Sequence, residues 1–327
     1  MGINWADFVR IVRSHERFLL TSHIRPDCDA LGSELGMAGV LEASGKQVVI
    51  VNGQATPPNL AFIDPQKRIR VIGQDVKLSD LDNIEVLIVL DTSAWAQLGP
   101  MGDVLRATKA KKLVIDHHVS EDDLGAEPFK NTAAEATGRL VVEAAEALGI
   151  SLTPEIATPL FAAVATDTGW FRFSSATAET YHLAAKLIDA GVVPDAVYRA
   201  LYEQDSIGRV KLRGIILSRV VGELDGRLAY TYVLKEDFGK AGALPSDTED
   251  VINMTLAIAG TEFAVILVEQ PKGGFKISFR SRCHVDCSQL AGRFGGGGHK
   301  AAAGAFVEGS FDEVIAKVLD VVRAALQ

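Results

Sequence analysis

The chain has 327 residues, with 42 acidic and 33 basic side chains that give a formal net charge of -9 at pH 7. Hydrophobic residues make up 48% and charged residues 23%, which excludes a disordered or fibrous protein and is enough for two domains. The acidic balance argues against nonspecific binding of long nucleic acid, because such binding needs a broad basic surface.

The first half of the chain alternates predicted strands and helices. A helix at Trp5–His15 precedes a strand at Phe18–Ser22, and the alternation continues to a helix that ends near Ala190. Such alternation is typical of an α/β fold in which a mostly parallel sheet carries helices on both faces. The other predicted strands are Val48–Val51, Val86–Leu90, Leu113–Ile115 and a half-buried strand at Trp170–Phe173; the other helices are Ala30–Ala43, Gly102–Lys109, Glu135–Leu148, Glu155–Ala165 and Ala178–Ala190.

The second half has a different order of predicted helices and strands. Residues Asp195–Arg219 read as helical and well charged, which indicates a connector, and strands dominate after it. We predict a parallel-sheet domain over residues 1–190, a helical connector over 191–215 and a smaller α/β domain with a mixed sheet over 216–327. The strands predicted there are Leu228–Leu234, Phe263–Glu269 and Phe275–Arg280; the helices are Thr248–Ala259, Asp286–Phe294 and Phe311–Leu326.

Acidic and imidazole side chains follow the apolar strands and one helix of the first half. Ligands of an open parallel sheet gather beyond the carboxyl ends of its strands, so these side chains can converge on one point. Aspartate and histidine without thiolate favour Mn²⁺ or a similar ion, and two such ions can activate a water and clamp a phosphoryl group. The residues are His23, Asp27, Asp29, Asp91, Asp116, His117, His118 and Asp167.

A local basic segment lies in the second half despite the acidic total. Between Lys272 and Lys300 there are six basic residues and one acidic residue, Asp286. The glycine run Gly295–Gly298 in this segment lets backbone amides approach an anion closely. We therefore expect an anion site here, such as one for a nucleotide phosphate.

In combination, these motifs resemble the DHH phosphoesterases over nearly the whole chain. The matching strings are His23-x-x-Pro26-Asp27-x-Asp29-Ala30-Leu31-Gly32-Ser33, Asp91-Thr92, Asp116-His117-His118 and Ala165-Thr166-Asp167-Thr168-Gly169. The segment Arg293-Phe294-Gly295-Gly296-Gly297-Gly298-His299 resembles the DHH-associated C-terminal domain of that family.

The resemblance implies a role for each matching residue. His23 and Asp27 would hold one Mn²⁺, Asp29 and His117 a second, Asp91 would bridge the two, and Asp167 would complete the set. His118 would face the scissile phosphate as a charge stabiliser or proton donor, and Asp116 would orient a ligating imidazole. Mg²⁺ or Co²⁺ could substitute for manganese. The implied substrate-binding residues are Arg280, Arg282, Arg293, Gly296, Gly297, Gly298 and His299, with the active site in the cleft between the domains.

The chain length is similar to that of nanoRNases of the NrnA type within this family. We therefore expect a phosphoesterase that hydrolyses very short RNA oligonucleotides and converts 3′-phosphoadenosine 5′-phosphate (pAp) to AMP. The alternatives are a cyclic dinucleotide phosphodiesterase acting on c-di-AMP or pApA, and a nucleotide-binding pseudoenzyme. Three cysteines and no apolar stretch of about 20 residues predict a cytoplasmic protein without a membrane partner. The oligomeric state stays open, with a homodimer as one option.

Overall fold

The computed structural model describes residues 2–119 and 122–327. These residues form two compact units, Met1–Glu203 and Gln204–Gln327. The predicted connector, residues 191–215, contains the point where the units divide. The finer limits 1–190, 191–215 and 216–327 stay predictions.

A six-stranded parallel sheet forms the centre of the first unit. Its spatial order is β3-β2-β1-β4-β5-β6, so the chain builds the sheet outward in one direction from β1 and then in the other from β4. The point between β1 and β4, where the order reverses, is where such sheets leave a crevice at the carboxyl ends of their strands. The strands are β1 Arg17–Thr21, β2 Gln47–Asn52, β3 Ile69–Val71, β4 Val86–Leu90, β5 Lys111–Asp116 and β6 Glu127–Lys130.

Helices cover both faces of this sheet, as the sequence predicted. Strand β4 illustrates why: Ile88 and Leu90 belong to one apolar cluster, while Leu87 and Val89 belong to another on the opposite face. A strand that is apolar at every position is typical of a sheet buried on both faces. The helices of this unit are α1 Trp5–Ser14, α2 Cys28–Ala43, α3 Trp95–Leu98, α4 Met101–Ala107, α5 Thr137–Leu148, α6 Pro154–Asp167, α7 Ala178–Asp189 and α8 Pro194–Tyr202.

Helices α2 and α6 pack antiparallel at very short range. A Cβ atom at Gly32 would lie 2.3 Å from the carbonyl oxygen of Pro159, and one at Gly36 would lie 2.4 Å from Leu160 Cδ2. Only glycine permits this approach without displacement of backbone or side chain. The packing sets the beginning of α2 beside the end of α6, where Asp167 lies.

The second unit has a mixed six-stranded sheet with the order β11-β12-β10-β9-β8-β7. Only the β8–β9 pair is parallel within the part of the sheet that the structure describes. The strands are β7 Val221–Glu223, β8 Leu228–Val233, β9 Phe263–Glu269, β10 Phe275–Ser281, β11 Gly297–Gly298 and β12 Ala302–Val307; the helices are α9 Ile207–Ser218, α10 Lys235–Ala241, α11 Val251–Leu256, α12 Cys287–Gly292 and α13 Phe311–Leu326. The mixed α/β class predicted for this half is confirmed.

Two predictions of local structure were wrong. The segment Trp170–Phe173 is a tight turn rather than a strand: Gly169, Trp170 and Phe171 have φ values of 57°, 59° and 62°, in the left-handed region. The amide of Trp170 donates to the carbonyl of Ala165, which reverses the chain immediately after α6. The helical stretch Asp195–Arg219 is interrupted, because α8 ends at Tyr202 and α9 begins at Ile207.

No helix among residues 2–119 and 122–327 is both long and apolar enough to cross a membrane.

Candidate metal centre and active site

The carboxyl edge of the parallel sheet gathers the histidines and aspartates that the sequence singled out. His23 follows β1, Asp91 follows β4, and His117 follows β5. Asp27 and Asp29 lie at the beginning of α2, and Asp167 is the last residue of α6. The crevice between β1 and β4 therefore receives donors from both directions of the sheet.

Asp91 occupies the centre of this cluster. Its Oδ2 atom lies 3.4 Å from His23 Nε2, and its Oδ1 atom lies 3.6 Å from His117 Nε2. The residue has a left-handed backbone with φ of 62°, a conformation that few non-glycine residues adopt and that recurs at functional sites. Its two oxygens face different imidazoles, as a bridging carboxylate requires.

The remaining predicted ligands divide between the two imidazoles. His23 Nε2 lies 3.8 Å from Asp27 Oδ1. His117 Nε2 lies 3.8 Å from Asp29 Oδ2 and 3.5 Å from Asp167 Oδ2. Two groups that could each hold a metal ion are His23, Asp27 and Asp91, and Asp29, His117 and Asp167; a third overlapping group is Asp91, His117 and His118. The structure thus brings together all six residues predicted as metal ligands.

Both central imidazoles are oriented to present Nε2 to this cluster. His23 Nδ1 lies 3.0 Å from the carbonyl oxygen of Ile24, and His117 Nδ1 lies 3.1 Å from that of Ala134. A carbonyl only accepts hydrogen bonds, so Nδ1 carries a proton and Nε2 is the ring nitrogen that would bind a metal ion. This is the usual arrangement of metal-ligating histidines, and the donor set therefore fits a pair of cations.

Burial and mutual repulsion shape the ionisation of the carboxyl groups. Burial and the neighbouring Asp29 raise the pKa of Asp91 well above its usual range, and the same causes raise the pKa of Asp167 to about 6. Burial also raises the pKa of Asp29, against the opposing effect of His117. Although burial lowers the pKa of His23, hydrogen bonds with Asp27 and Asp91 raise it to about 11. Protons therefore occupy the cluster where cations would otherwise neutralise it.

Two carboxylates of the cluster have further hydrogen bonds that sequence reasoning missed. Asp29 accepts from the amides of Thr137 and Gly138 at 2.8 and 3.0 Å, and from Ser33 Oγ at 3.1 Å. Thr137 Oγ1 also donates to Asp91 Oδ1 at 2.9 Å. The beginning of α5 therefore holds both carboxylates in place, and its hydroxyl and amides carried no motif that pointed to this role.

Asp116 contacts the imidazole of His118, which is not among the residues predicted as metal ligands. Its Oδ1 accepts from the amide of His118 at 3.0 Å and pairs with His118 Nδ1 at 2.9 Å, whereas His117 is oriented by a backbone carbonyl. Asp116 is fully buried, and hydrogen bonds with His118 and Ser93 lower its pKa to about 2 against the effect of burial. The His118 side chain is 48% exposed, and its bond with Asp116 raises its pKa.

Comparison with known proteins identifies the family of this chain. Residues 17–164 match the DHH family, N-terminal domain, and residues 225–327 match the DHHA1 domain. The bifunctional oligoribonuclease and PAP phosphatase NrnA of Thermus thermophilus is 31% identical over 94% of this chain and 89% of its own length. The chain belongs to the DHH family.

Other proteins resemble this chain at lower sequence identity. The bifunctional oligoribonuclease and PAP phosphatase NrnA of Bacillus subtilis is 27% identical over 94% of both chains. The crystal structure of an exopolyphosphatase-related protein from Bacteroides fragilis is 28% identical, with a TM-score of 0.84 over 98% of this chain and 95% of that one. A manganese-bound exonuclease RecJ has a TM-score of 0.53 at 12% identity, covering 99% of this chain and 94% of that chain, and shares the fold.

The glycines of the segment Gly295–Gly298 in the DHHA1 unit are explained by backbone packing as well as by the predicted binding role. Gly297 and Gly298 form strand β11 beside β12. A Cβ atom at Gly296 would lie 2.1 Å from the carbonyl oxygen of Gly304, and one at Gly298 would lie 2.6 Å from Ala303 Cα. Glycine is therefore required there by the close approach of two backbones, whatever ligand the segment binds.

The basic side chains predicted to bind substrate lie around this DHHA1 sheet. Arg280 is on β10, and its Nη1 donates to the carbonyl of Phe279. Arg282 Nη1 donates to the carbonyl of Leu256 at 3.2 Å. Arg293 and His299, on either side of the glycine run, are exposed. The segment thus places an exposed guanidinium group beside a glycine loop in which the amides of Gly295 and Gly296 donate to the carbonyls of Gly292 and Ala291.

Proposed function

We propose that this chain is a metal-dependent phosphoesterase that hydrolyses very short RNA oligonucleotides to mononucleotides and converts pAp to AMP. The observation that carries the proposal is the position of Asp91, with one carboxylate oxygen toward His23 and the other toward His117. The activity for which the NrnA relatives are named, at 24–31% identity, supports this choice of substrates.

The proposed cofactor is a pair of Mn²⁺ ions, with Mg²⁺ or Co²⁺ as substitutes. His23, Asp27 and Asp91 would hold one ion; Asp29, His117, Asp167 and the shared Asp91 would hold the other. When bound, such a pair supplies an activated water and neutralises charge on the phosphoryl group. The mixture of imidazole and carboxylate donors favours manganese over zinc, whose sites more often contain thiolate or several histidines.

The side chains of the protein have two further tasks in this proposal. His118, half-exposed and held by Asp116, donates a proton to the leaving oxygen or stabilises its charge. The arginines and the glycine loop of the DHHA1 unit bind the nucleotide, because guanidinium groups suit phosphate and glycine lets a ligand approach the backbone closely. These substrate-binding residues are Arg280, Arg282, Arg293, Gly296, Gly297, Gly298 and His299. A cytoplasmic location and a homodimer remain proposals from the sequence.

A substrate panel with purified protein tests the proposal. The panel contains pAp, 5′-labelled RNA of two to five nucleotides, a longer RNA and cyclic di-AMP, each with Mn²⁺ and with a chelator. We expect turnover of pAp and the short RNAs that the chelator abolishes and added Mn²⁺ restores. Preferential turnover of cyclic di-AMP would replace the proposed substrates with a cyclic dinucleotide, and no turnover at all would favour a nucleotide-binding pseudoenzyme.

A further inference from the structure

The buried carboxylate of Asp116 is held at both oxygens. On Oδ1 it accepts from the amide and the ring Nδ1 of His118, at 3.0 and 2.9 Å. On Oδ2 it accepts from the hydroxyl of Ser93, and Lys130 Nζ lies 3.3 Å from the same atom. Oδ1 of this carboxylate therefore orients the imidazole of His118. Oδ2 contacts Ser93 and Lys130, whose roles in the site are not yet explained.

The sheet itself places these two residues. Asp116 and Lys130 are directly paired neighbours in the register of β5 and β6, so their side chains project on the same face. The Lys130 side chain is only 10% exposed. Ser93 is buried two residues after Asp91, and its carbonyl accepts from the amide of Asp122. Three strand ends thus meet at Asp116.

The chemistry of this contact fixes the imidazole. A carboxylate only accepts hydrogen bonds, so the proton of a neutral His118 ring must be on Nδ1, and Nε2 is the atom left to exchange a proton with substrate. An Asp116 carboxylate without donors on Oδ2 could rotate, and the ring would lose both its orientation and its single tautomer.

We propose that Ser93 and Lys130 are positioning residues that act through Asp116 to hold His118 with Nε2 directed to the scissile phosphoester. The inference rests on the proposed function of His118 as the group that meets the leaving oxygen. Loss of a residue that orients a metal-ligating imidazole costs about 10–100-fold in metal affinity or activity, and we expect a loss of the same order for the imidazole of His118. Because the effect passes through one imidazole, it should disappear when that imidazole is absent.

Steady-state kinetics on pAp in Mn²⁺ provide the first test. We expect Lys130→Met and Ser93→Ala to lower kcat by about 10–100-fold and to leave KM within about 3-fold. In a His118→Ala background the same changes should alter kcat by less than about 2-fold. Lys111→Met is the matched control, because Lys111 lies on the same strand pair, at the opposite end of β5, and its Nζ pairs with Glu127 at 2.6 Å. That variant should keep kcat.

A spectroscopic measurement separates positioning from loss of fold. Long-range ¹H–¹⁵N spectra of histidine-labelled protein in Mg²⁺ should show His118 as the Nδ1–H tautomer in the wild type and in Lys111→Met, and as a tautomer mixture in Lys130→Met and Ser93→Ala. Equal kcat losses with and without His118, or an unchanged tautomer, would overturn the inference. If Lys130→Met does not fold, Ser93→Ala decides alone. An inactive wild type would instead refute the proposed function, and the spectra would still test the effect of Ser93 and Lys130 on the ring.

Discussion

Two buried carboxyl groups lie five residues apart on helix α2, and their surroundings differ. Asp29, at the carboxyl edge of the sheet, accepts two backbone amides and a hydroxyl and faces His117. Glu34, one and a half turns further along, accepts from Asn52 Nδ2 at 3.0 Å, and its Oε1 has no hydrogen-bond partner among the residues that the structure describes. Asp29 thus accepts three hydrogen bonds, whereas Glu34 accepts one.

The difference shows how one helix serves two purposes. Burial raises the pKa of Glu34 to about 8, so this group is held as a neutral acid inside the unit near neutral pH. The carboxylates at the sheet edge face the Nε2 atoms of His23 and His117, so bound cations could replace the protons of this cluster. A buried carboxyl group can therefore bind a metal ion only where several ligand atoms converge, and burial alone does not indicate a metal site.

Removal of the shared ligand should have the largest effect. Asp91→Asn keeps the shape of the side chain but removes its negative charge, and we expect turnover of every substrate to fall by at least about 10⁴-fold, since single members of a catalytic set reach such losses. Calorimetric titration with Mn²⁺ should show fewer than two ions bound. Asp103→Asn is the control, because Asp103 is an exposed carboxylate of the same unit that pairs with Arg106. Activity within 10-fold of wild type would refute the bridging role of Asp91.

Glu34 should affect stability rather than catalysis. Its pKa is about 8 in the folded protein against an ordinary 4.5, so the folded state binds more protons between these values and stability falls as pH rises from about 4.5 to above 8. Each pKa unit corresponds to about 1.4 kcal/mol, which amounts to about 5 kcal/mol over this window. Glu34→Gln keeps a neutral side chain of the same shape and should lack this loss.

Urea unfolding of the metal-free proteins at pH 5, 7 and 9 checks this prediction. The stability difference between Glu34→Gln and wild type isolates Glu34, because the other buried carboxyl groups are common to both proteins. The variant should gain on the wild type at each step in pH, and its turnover at pH 7 should stay within about 3-fold. Parallel pH curves for the two proteins would mean that Glu34 ionises normally.

The sequence was enough to predict the donors that follow strands, and the reason is geometric. Asp91 comes directly after an apolar run, His117 two residues and His23 three residues after one, and parallel strands bring such positions to one edge. Their orientation could not be predicted, because it depends on the backbone carbonyls of Ile24 and Ala134, which have no sequence signature. Lys130 escaped notice because β6 is a four-residue strand that contains Pro128, a residue poor in strand propensity.

The same distinction holds for the rest of the fold. The long apolar strands and periodic helices of the first unit were predicted because their patterns match a two-sided sheet. Strand β12, Ala302–Val307, was missed because small residues carry little strand propensity. The turn at Trp170 and Phe171 was read as a strand because aromatic residues favour strands, and nothing in their side chains reveals a left-handed backbone.

A hydroxyl that supports the metal edge should have an intermediate effect. Thr137→Val is nearly isosteric and removes the donor to Asp91 Oδ1, so we expect kcat or Mn²⁺ affinity to fall by about 10–100-fold, as for other partners of metal ligands. Thr231→Val is a matched control: Thr231 is equally buried, and its hydroxyl donates to the carbonyl of Ile216 in the other unit. It should lose stability without losing metal. If both variants bind Mn²⁺ and turn over pAp like the wild type, Thr137 serves only the fold.

The smallest expected effect lies outside both carboxyl regions and tests whether substrate binding is separate from the chemistry. Arg293 is exposed at the end of α12, beside the glycine run. It belongs to the second unit, whereas Asp29 and Glu34 belong to the first. Arg293→Ala should raise KM for pAp by about 10-fold, the cost of one charge-assisted hydrogen bond, because guanidinium contacts to phosphate act on binding. The kcat, the stability and the hydrolysis of a minimal phosphoester such as p-nitrophenyl phosphate should change by less than about 2-fold.

Lys317→Ala, on α13 of the same unit, removes another cation and controls for general electrostatic attraction. Equal losses on pAp and the minimal ester would assign Arg293 to the chemistry instead of to nucleotide binding, and the separation between the two units' tasks would then fail.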